Sequence, residues 1–371
     1  MAKSLSRLYL PDSPWGPPLV VFILTTLLLI TIVVAAGGDP LVLARVGERY
    51  AVGDPNGSEG YDGQFILSIA QDPRPANVAP HLDVPAYRYQ RILLPLLARL
   101  FSFGSSAAIP WLIPLLGLLA HTAGAWAVGE LFCSWGINRW YSLIYAFWAG
   151  FTRALVVDLP EPLAYGLVAG CFLALQRERN LVGWLLLGLS LFAKEVTLPF
   201  VFAVLVADLL KRRWRAVLGL SLMALLPFVL FQVWLWLTFG QPGLGSGGAM
   251  ATPFELIPFM GFLRIGAESI PYMLAMLVVF GPTVIWPAVW GVWKSVRFFL
   301  AGHRSMIVLA LLFNSLVIVL LPFSTYRETG GLLRVACGLG MAVLFFAAHF
   351  RLRRVLNYCV FFIVLNIFLL K

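Results

Sequence analysis

The feature that most constrains this chain is a series of apolar runs that are each long enough, or nearly so, to cross a bilayer as a helix. The runs lack the alternation of apolar and polar residues found in barrel strands, so backbone groups in lipid must be satisfied within helices. We therefore predict an all-α, polytopic transmembrane bundle of about 11 spans, forming a single integral membrane domain over residues 1–371. The predicted spans lie near 18–36, 108–132, 141–157, 161–176, 181–193, 196–210, 216–238, 271–293, 305–322, 331–349 and 355–370.

The composition agrees with a membrane protein. Hydrophobic residues make up 60% of the chain and charged residues only 12%, whereas about a quarter of the residues in a soluble domain are charged. The composition therefore excludes an ordinary water-soluble fold. The net charge of +10 is explained by membrane topology and anionic lipid, and no nucleic-acid partner is expected.

Basic residues indicate the orientation of the bundle, because loops rich in Lys and Arg stay in the cytoplasm. With a cytoplasmic N-terminus bearing Lys3 and Arg7, inner segments such as 211–215 and 351–354 hold more than half of the 27 basic residues. Most acids, unlike Asp12, fall on the other side. We expect an extracytoplasmic C-terminus.

Two long loops are predicted on the outer side. The first, 37–107, should hold interfacial helices between about 55 and 105, including an amphipathic run over Arg88–Phe103 that Pro95 would bend. The second, 239–270, begins with a glycine-rich stretch and continues as a mostly apolar segment, which is typical of a lid.

The sequence indicates no cofactor. Glycines at 243, 245 and 248 match a dinucleotide-binding spacing, but no strand precedes them. The four cysteines and four histidines form no ligand cluster. A divalent metal ion stays open without being indicated.

The sequence Tyr61-Asp62-Gly63-Gln64-Phe65 places a carboxylate in the first outer loop, close to the membrane. An ionisable group near a bilayer is costly, which makes it a candidate for a functional site. The predicted topology brings further carboxylates to the same face, namely Asp158, Glu161, Glu195 and Glu328. We therefore expect any chemistry to be extracytoplasmic.

These residues carry a family resemblance that spans roughly 18–210. The segment from Tyr61 to Phe65, followed by Tyr87-Arg88-Tyr89-Gln90-Arg91-Ile92-Leu93-Leu94-Pro95, resembles the GT-C superfamily of membrane glycosyltransferases, and within it bacterial relatives of the glycosylphosphatidylinositol mannosyltransferase 2 type. Pro160-Glu161-Pro162-Leu163 is similar to a turn that opens a helix in that group, and Ala193-Lys194-Glu195 stands where the group usually has an Arg-containing turn. The resemblance implies a GT-C-like bundle that uses a polyprenyl-phosphate sugar donor from the bilayer. It also implies transfer of the sugar, with inversion, to a glycan, lipid or protein acceptor on the outer side.

Such a transfer needs a base for the acceptor hydroxyl and positive charge for the departing phosphate. We assign the base to Asp62 and the phosphate to Arg88 and Arg91, which stand one helical turn apart, with Arg327 and Arg334 as alternatives. The remaining predicted substrate contacts are Tyr61, Gln64, Asp158, Glu161, Lys194 and Glu195.

Structural roles compete with these assignments. Asp62 could cap a helix, with Tyr61 as an interfacial aromatic residue, and Arg88 and Arg91 could bind acidic lipid headgroups. Asp158 and Glu161 could simply open a helix, because acids and prolines suit a helix start. Lys194 and Glu195 could pair with each other or with Glu161.

Two other classes of function compete with a glycosyltransferase. One is a transporter or flippase of a lipid-linked or small polar substrate, because charge near the membrane also marks transport pathways. The other is a noncatalytic assembly subunit, in which Asp62 would tolerate replacement.

Overall fold

The computed structural model describes residues 13–369, and every regular element in that part of the chain is a helix. Five of these helices are long and apolar enough to cross a membrane. The all-helical class and the presence of candidate membrane helices are therefore confirmed, while the larger number of spans stays a prediction. The five helices are Gly16–Ala35, Ile109–Ser134, Trp214–Phe239, Ile270–Leu300 and Thr329–His349.

Four shorter apolar helices coincide with predicted spans. They are Glu161–Gln176, Asn180–Ala193, Leu198–Leu210 and Met306–Val319. A helix of about 14 residues extends about 21 Å, which is less than the hydrocarbon thickness of about 30 Å. Length alone therefore does not show that these helices cross a bilayer.

Two predicted spans are not continuous helices. The run 141–157 consists of Ser142–Ala146 and Ala149–Leu155 after a 3₁₀ turn, and the run 355–370 consists of Arg353–Tyr358, Phe361–Val364 and the 3₁₀ segment Leu365–Leu369. In the first run the chain is extended at Trp148, whose indole N–H donates to the carbonyl of Leu333 at 2.9 Å. The sequence allowed for broken helices in the short spans, and these two runs are broken, with a tertiary hydrogen bond at the break in the first.

The first loop contains several short helices, as the sequence predicted. They are Leu41–Ala44, Glu48–Ala51, Gly63–Gln71, Pro75–Val78, Ala79–His81, Pro85–Tyr89 and Leu93–Phe101. The expected bend at Pro95 was wrong. Pro95 lies in the first turn of its helix, where its missing N–H would have had no helical partner, and the run breaks instead at residues 90–92.

The second loop is irregular from residue 240 to 259 and then forms the helix Met260–Glu268. The backbone N–H of Glu255 donates to the carbonyl of Leu320, and that of Ala249 lies 3.4 Å from a carboxylate oxygen of Asp83 in the first loop. The segment thus contacts the first loop and the end of helix Met306–Val319. A lid function stays a prediction.

The position of the core follows from burial of the long helices. In Thr329–His349, 94% of the spanning window is buried, against 17% in Trp214–Phe239. Thr329–His349 is therefore the central helix, and a charged residue on it is surrounded by protein. The predicted orientation rests partly on Lys3, Arg7 and Asp12, which lie outside the described residues.

Candidate active site

Asp62 immediately precedes helix Gly63–Gln71, but its side chain makes no capping hydrogen bond. Instead, Nη1 of Arg334 donates to Oδ2 of Asp62 at 2.8 Å, and Nη1 of Arg88 lies 2.9 Å from Oδ1. The Asp62 side chain is 22% exposed, while the side chains of Arg88 and Arg334 are each 9% exposed. The alternative of a helix cap was wrong, and the carboxylate joins two buried cations at a point that solvent can reach.

The start of this helix is held tightly against the turn that precedes Glu161–Gln176. A Cβ added at Gly63 would lie within 3.0 Å of the carbonyl oxygens of both Val157 and Ala44. Only a residue without a side chain fits such a close approach of backbones. Gly63 therefore sets the position of its neighbour Asp62.

Arg88 is held by a second carboxylate that the sequence reasoning missed. Its Nε and Nη2 donate to the two oxygens of Asp83 at 2.6 and 2.8 Å, and its guanidinium stacks 4.4 Å from the ring centre of Phe65. A bidentate pair of this kind fixes orientation as well as charge. The sequence carries no distinct signal for Asp83, because the pairing depends on the break in the chain at Val84.

Arg334 reaches Asp62 from the central helix. Its position is supported by the close packing of Ala149–Leu155, where a Cβ added at Gly150 would lie less than 3.0 Å from the carbonyl oxygen of Leu333. The guanidinium of Arg334 also lies 3.9 Å from Glu161 and 3.7 Å from Glu328. One arginine thus links three carboxylates from separate parts of the chain.

Lys194 and Glu161 form a buried ion pair, 4% and 0% exposed respectively. The neighbouring Glu195 receives two hydrogen bonds from Arg91, at 2.6 and 3.0 Å. The proposed pairing of Lys194 with Glu161 is therefore confirmed, and within the described residues Lys194 does not pair with Glu195. Arg88 and Arg91 turn to different carboxylates, so they do not form a shared cradle in this state.

Three predicted site residues lie outside the Asp62 network. The Gln64 amide holds the first loop, accepting from the N–H of Gly47 at 3.0 Å and donating to the carbonyl of Glu59 at 2.7 Å. Arg327 is exposed and lies over the ring of Phe323. Asp158 is buried in a left-handed turn (φ 52°), and neither carboxylate oxygen has a hydrogen-bond partner among the described residues.

The pKa values of Asp62 and Asp158 are shifted in opposite directions. Burial alone would raise the pKa of Asp62, but the charges of Arg334 and Arg88 outweigh burial and lower that pKa below its usual value. At Asp158 burial has no such opposition and raises the pKa well above its usual value. Asp62 is therefore ionised at neutral pH, and its basicity depends on how firmly the two arginines hold it.

Tyr61 connects this network to a cavity of about 550 Å³. Its hydroxyl donates to Oε1 of Glu328 at 3.1 Å, and burial raises its pKa to about 12. Arg153 lies 4.9 Å from the centre of the Tyr61 ring and lines the same cavity. The sequence reasoning missed Arg153, although a lone basic residue inside the predicted span 141–157 was an available signal.

The site therefore offers a partly exposed carboxylate, buried cations and an adjoining cavity, which suits proton transfer next to an anionic group. Within residues 13–369, no three His, Cys, Asp or Glu residues are arranged to hold a metal ion. Comparisons of the chain with protein-family models, with curated proteins and with solved structures found no match.

Proposed function

We propose that this protein is an inverting glycosyltransferase of GT-C-like architecture, with about 11 spans and an active site on the extracytoplasmic side of a bacterial inner membrane. It takes a sugar from a polyprenyl-phosphate donor and passes it to a hydroxyl-bearing acceptor. The observation that carries this proposal is the pairing of Asp62 with Arg88 and Arg334, at 2.9 and 2.8 Å. A helix cap or a surface acid would have no need of two buried cations from distant segments.

In the proposed reaction the acceptor oxygen attacks the anomeric carbon while its proton moves to Asp62. The bond from that carbon to the phosphate oxygen breaks, and the electron pair leaves on the lipid phosphate. Attack opposite to the leaving group inverts the anomeric centre. The products are a glycosylated acceptor, the polyprenyl phosphate and a protonated Asp62 that returns its proton to solvent.

The two arginines give this reaction a control on base strength. A general base works best with a pKa near the operating pH, and the arginines hold the pKa of Asp62 below its usual range. When the departing phosphate draws the guanidiniums of Arg88 and Arg334 toward itself, the basicity of Asp62 rises as the acceptor proton must leave. Arg91 supports the network through its ion pair with Glu195.

The test is replacement of Asp62 by Asn in purified protein supplied with a panel of polyprenyl-phosphate sugars and acceptors. Asparagine preserves size but cannot take the proton, so turnover should fall about 10²- to 10⁴-fold. Thermal stability is measured alongside. The matched control is Asp72→Asn, because Asp72 ends the same helix and pairs only with exposed neighbours.

Near-normal turnover by a folded Asp62→Asn protein would remove Asp62 as the base. Absence of transfer by the unaltered protein with every donor, together with substrate flux across liposomes, would replace the proposal with a transporter.

A further inference from the structure

The cavity beside Tyr61 has two chemically different parts. Its apolar wall comes from one stripe of helix Ile270–Leu300, formed by Ala275, Met276, Val279 and Phe280. This helix is long and apolar enough to cross a membrane. Its polar end holds Tyr61, Arg153 and Glu328. A space of this shape suits an amphiphile with a polar headgroup and a hydrocarbon chain.

The charge at the polar end is incompletely paired. Arg153 is partly buried, and no carboxylate or hydrogen-bond acceptor among the described residues pairs with its guanidinium. Glu328 lines the same cavity, but its carboxylate accepts the hydroxyl of Tyr61 and faces Arg334 at 3.7 Å. A cation beside an apolar wall without an anionic partner is costly, and a bound anion would remove that cost.

A second arginine strengthens the positive field at this place. The backbone of Arg45 lies beside Tyr61, because its carbonyl accepts the N–H of Tyr61 at 2.9 Å. Partial burial and the charge of Arg153 both lower the pKa of Arg45, which is exposed and lies outside the cavity lining. Arg45 also lacks a carboxylate partner in the described part of the chain. Arg153 is therefore the cation that lines the cavity, and Arg45 adds positive charge from outside the lining.

We propose that this cavity binds a phosphate-bearing lipid, with its phosphate at Arg153 and its chain along Ala275 and Met276. The site is separate from the Asp62 pair, where Arg88 and Arg334 are already engaged by carboxylates. Resting on the proposed function, which assigns the donor phosphate to Arg88 and Arg334, this second lipid is the acceptor. Tyr61 contacts both Arg153 and Arg334, which brings the two substrates to neighbouring positions.

Binding of dodecyl phosphate to the full-length protein in a nonionic detergent tests the site without requiring turnover. Arg153→Gln should weaken binding about 10-fold or more, because a charge-assisted contact is lost, and Arg153→Lys should restore much of it. Ala275→Phe fills the apolar wall from a position that is exposed, so folding should survive. It should weaken binding of dodecyl phosphate and leave inorganic phosphate unaffected.

Arg264→Gln is the matched control, since Arg264 is exposed and lies outside the cavity lining. Equal losses from Arg264→Gln and Arg153→Gln would reduce the effect to general surface charge and overturn the site. Equal binding of inorganic and dodecyl phosphate would overturn the lipid assignment. Loss of turnover in Asp62→Asn with unchanged dodecyl phosphate binding supports both proposals. Absence of transfer by the unaltered protein with intact, Arg153-dependent binding removes the proposed function alone.

Discussion

Replacement of Asp158 by Asn should stabilise the protein at neutral pH. Asp158 is 3% exposed, and neither carboxylate oxygen has a partner in the described structure. Asparagine keeps the size of the side chain and tolerates the left-handed backbone at this position (φ 52°). The substitution therefore removes a titratable group without changing the turn between Ala149–Leu155 and Glu161–Gln176.

The magnitude follows from proton linkage. The pKa of Asp158 is raised by burial in the folded protein, whereas in an unfolded chain it is about 3.9. Above about pH 4 the unfolded chain releases this proton while the folded protein keeps it, so folding stability falls as pH rises. The loss is about 1.4 kcal/mol per pH unit until the pH reaches the raised folded pKa. The Asp158→Asn protein has no such slope, so its advantage should grow by that amount per unit.

Equilibrium unfolding in mixed micelles, followed at several pH values between 4 and 8, would measure this difference. Glu178→Gln is the matched control, because Glu178 is also an acid in a left-handed turn between helices (φ 58°) but is exposed. The control should leave the pH dependence unchanged. If the Asp158→Asn and unaltered proteins lose stability in parallel as pH rises, Asp158 is solvated or paired, and the reasoning from burial fails.

Two further substitutions test the packing of the site. Lys194→Met leaves the fully buried Glu161 with Arg334, at 3.9 Å, as its remaining ionic partner among the described residues. It should cost about 3–5 kcal/mol of unfolding free energy, much of it recovered by adding Glu161→Gln. An unfolding titration that shows no loss would contradict a buried pair. Gly63→Ala forces a Cβ to within 3.0 Å of two backbone oxygens and should cost about 1–3 kcal/mol of unfolding free energy. Gly340→Ala, with its nearest neighbour at 3.6 Å, should be tolerated. Equal thermal stability of the two variants would argue against the close approach.

The local sequence was sufficient for the class of the fold. Apolar runs of spanning length identify membrane helices because lipid offers the backbone no hydrogen bonds. The same runs did not show where a helix is interrupted. The chain is extended at Trp148, whose indole N–H donates to the distant carbonyl of Leu333, and no local pattern records that contact. Likewise, Pro95 lies in the first turn of a helix and does not bend one, because the preceding helix already ends at Tyr89.

The candidate site divides in the same way. The first loop identified Asp62 and Arg88 as unusual charges near a bilayer, which follows from the cost of placing ionisable groups there. Only the tertiary structure decided that Arg334, 272 residues from Asp62 along the chain, is its closest hydrogen-bond donor. It also decided that Gln64 holds a loop and that Arg153 lines a cavity without a counter-ion among the described residues. Residue type and periodicity determine which side chains avoid lipid, whereas the pairing of charges depends on how the helices pack, and that information is spread over the whole chain.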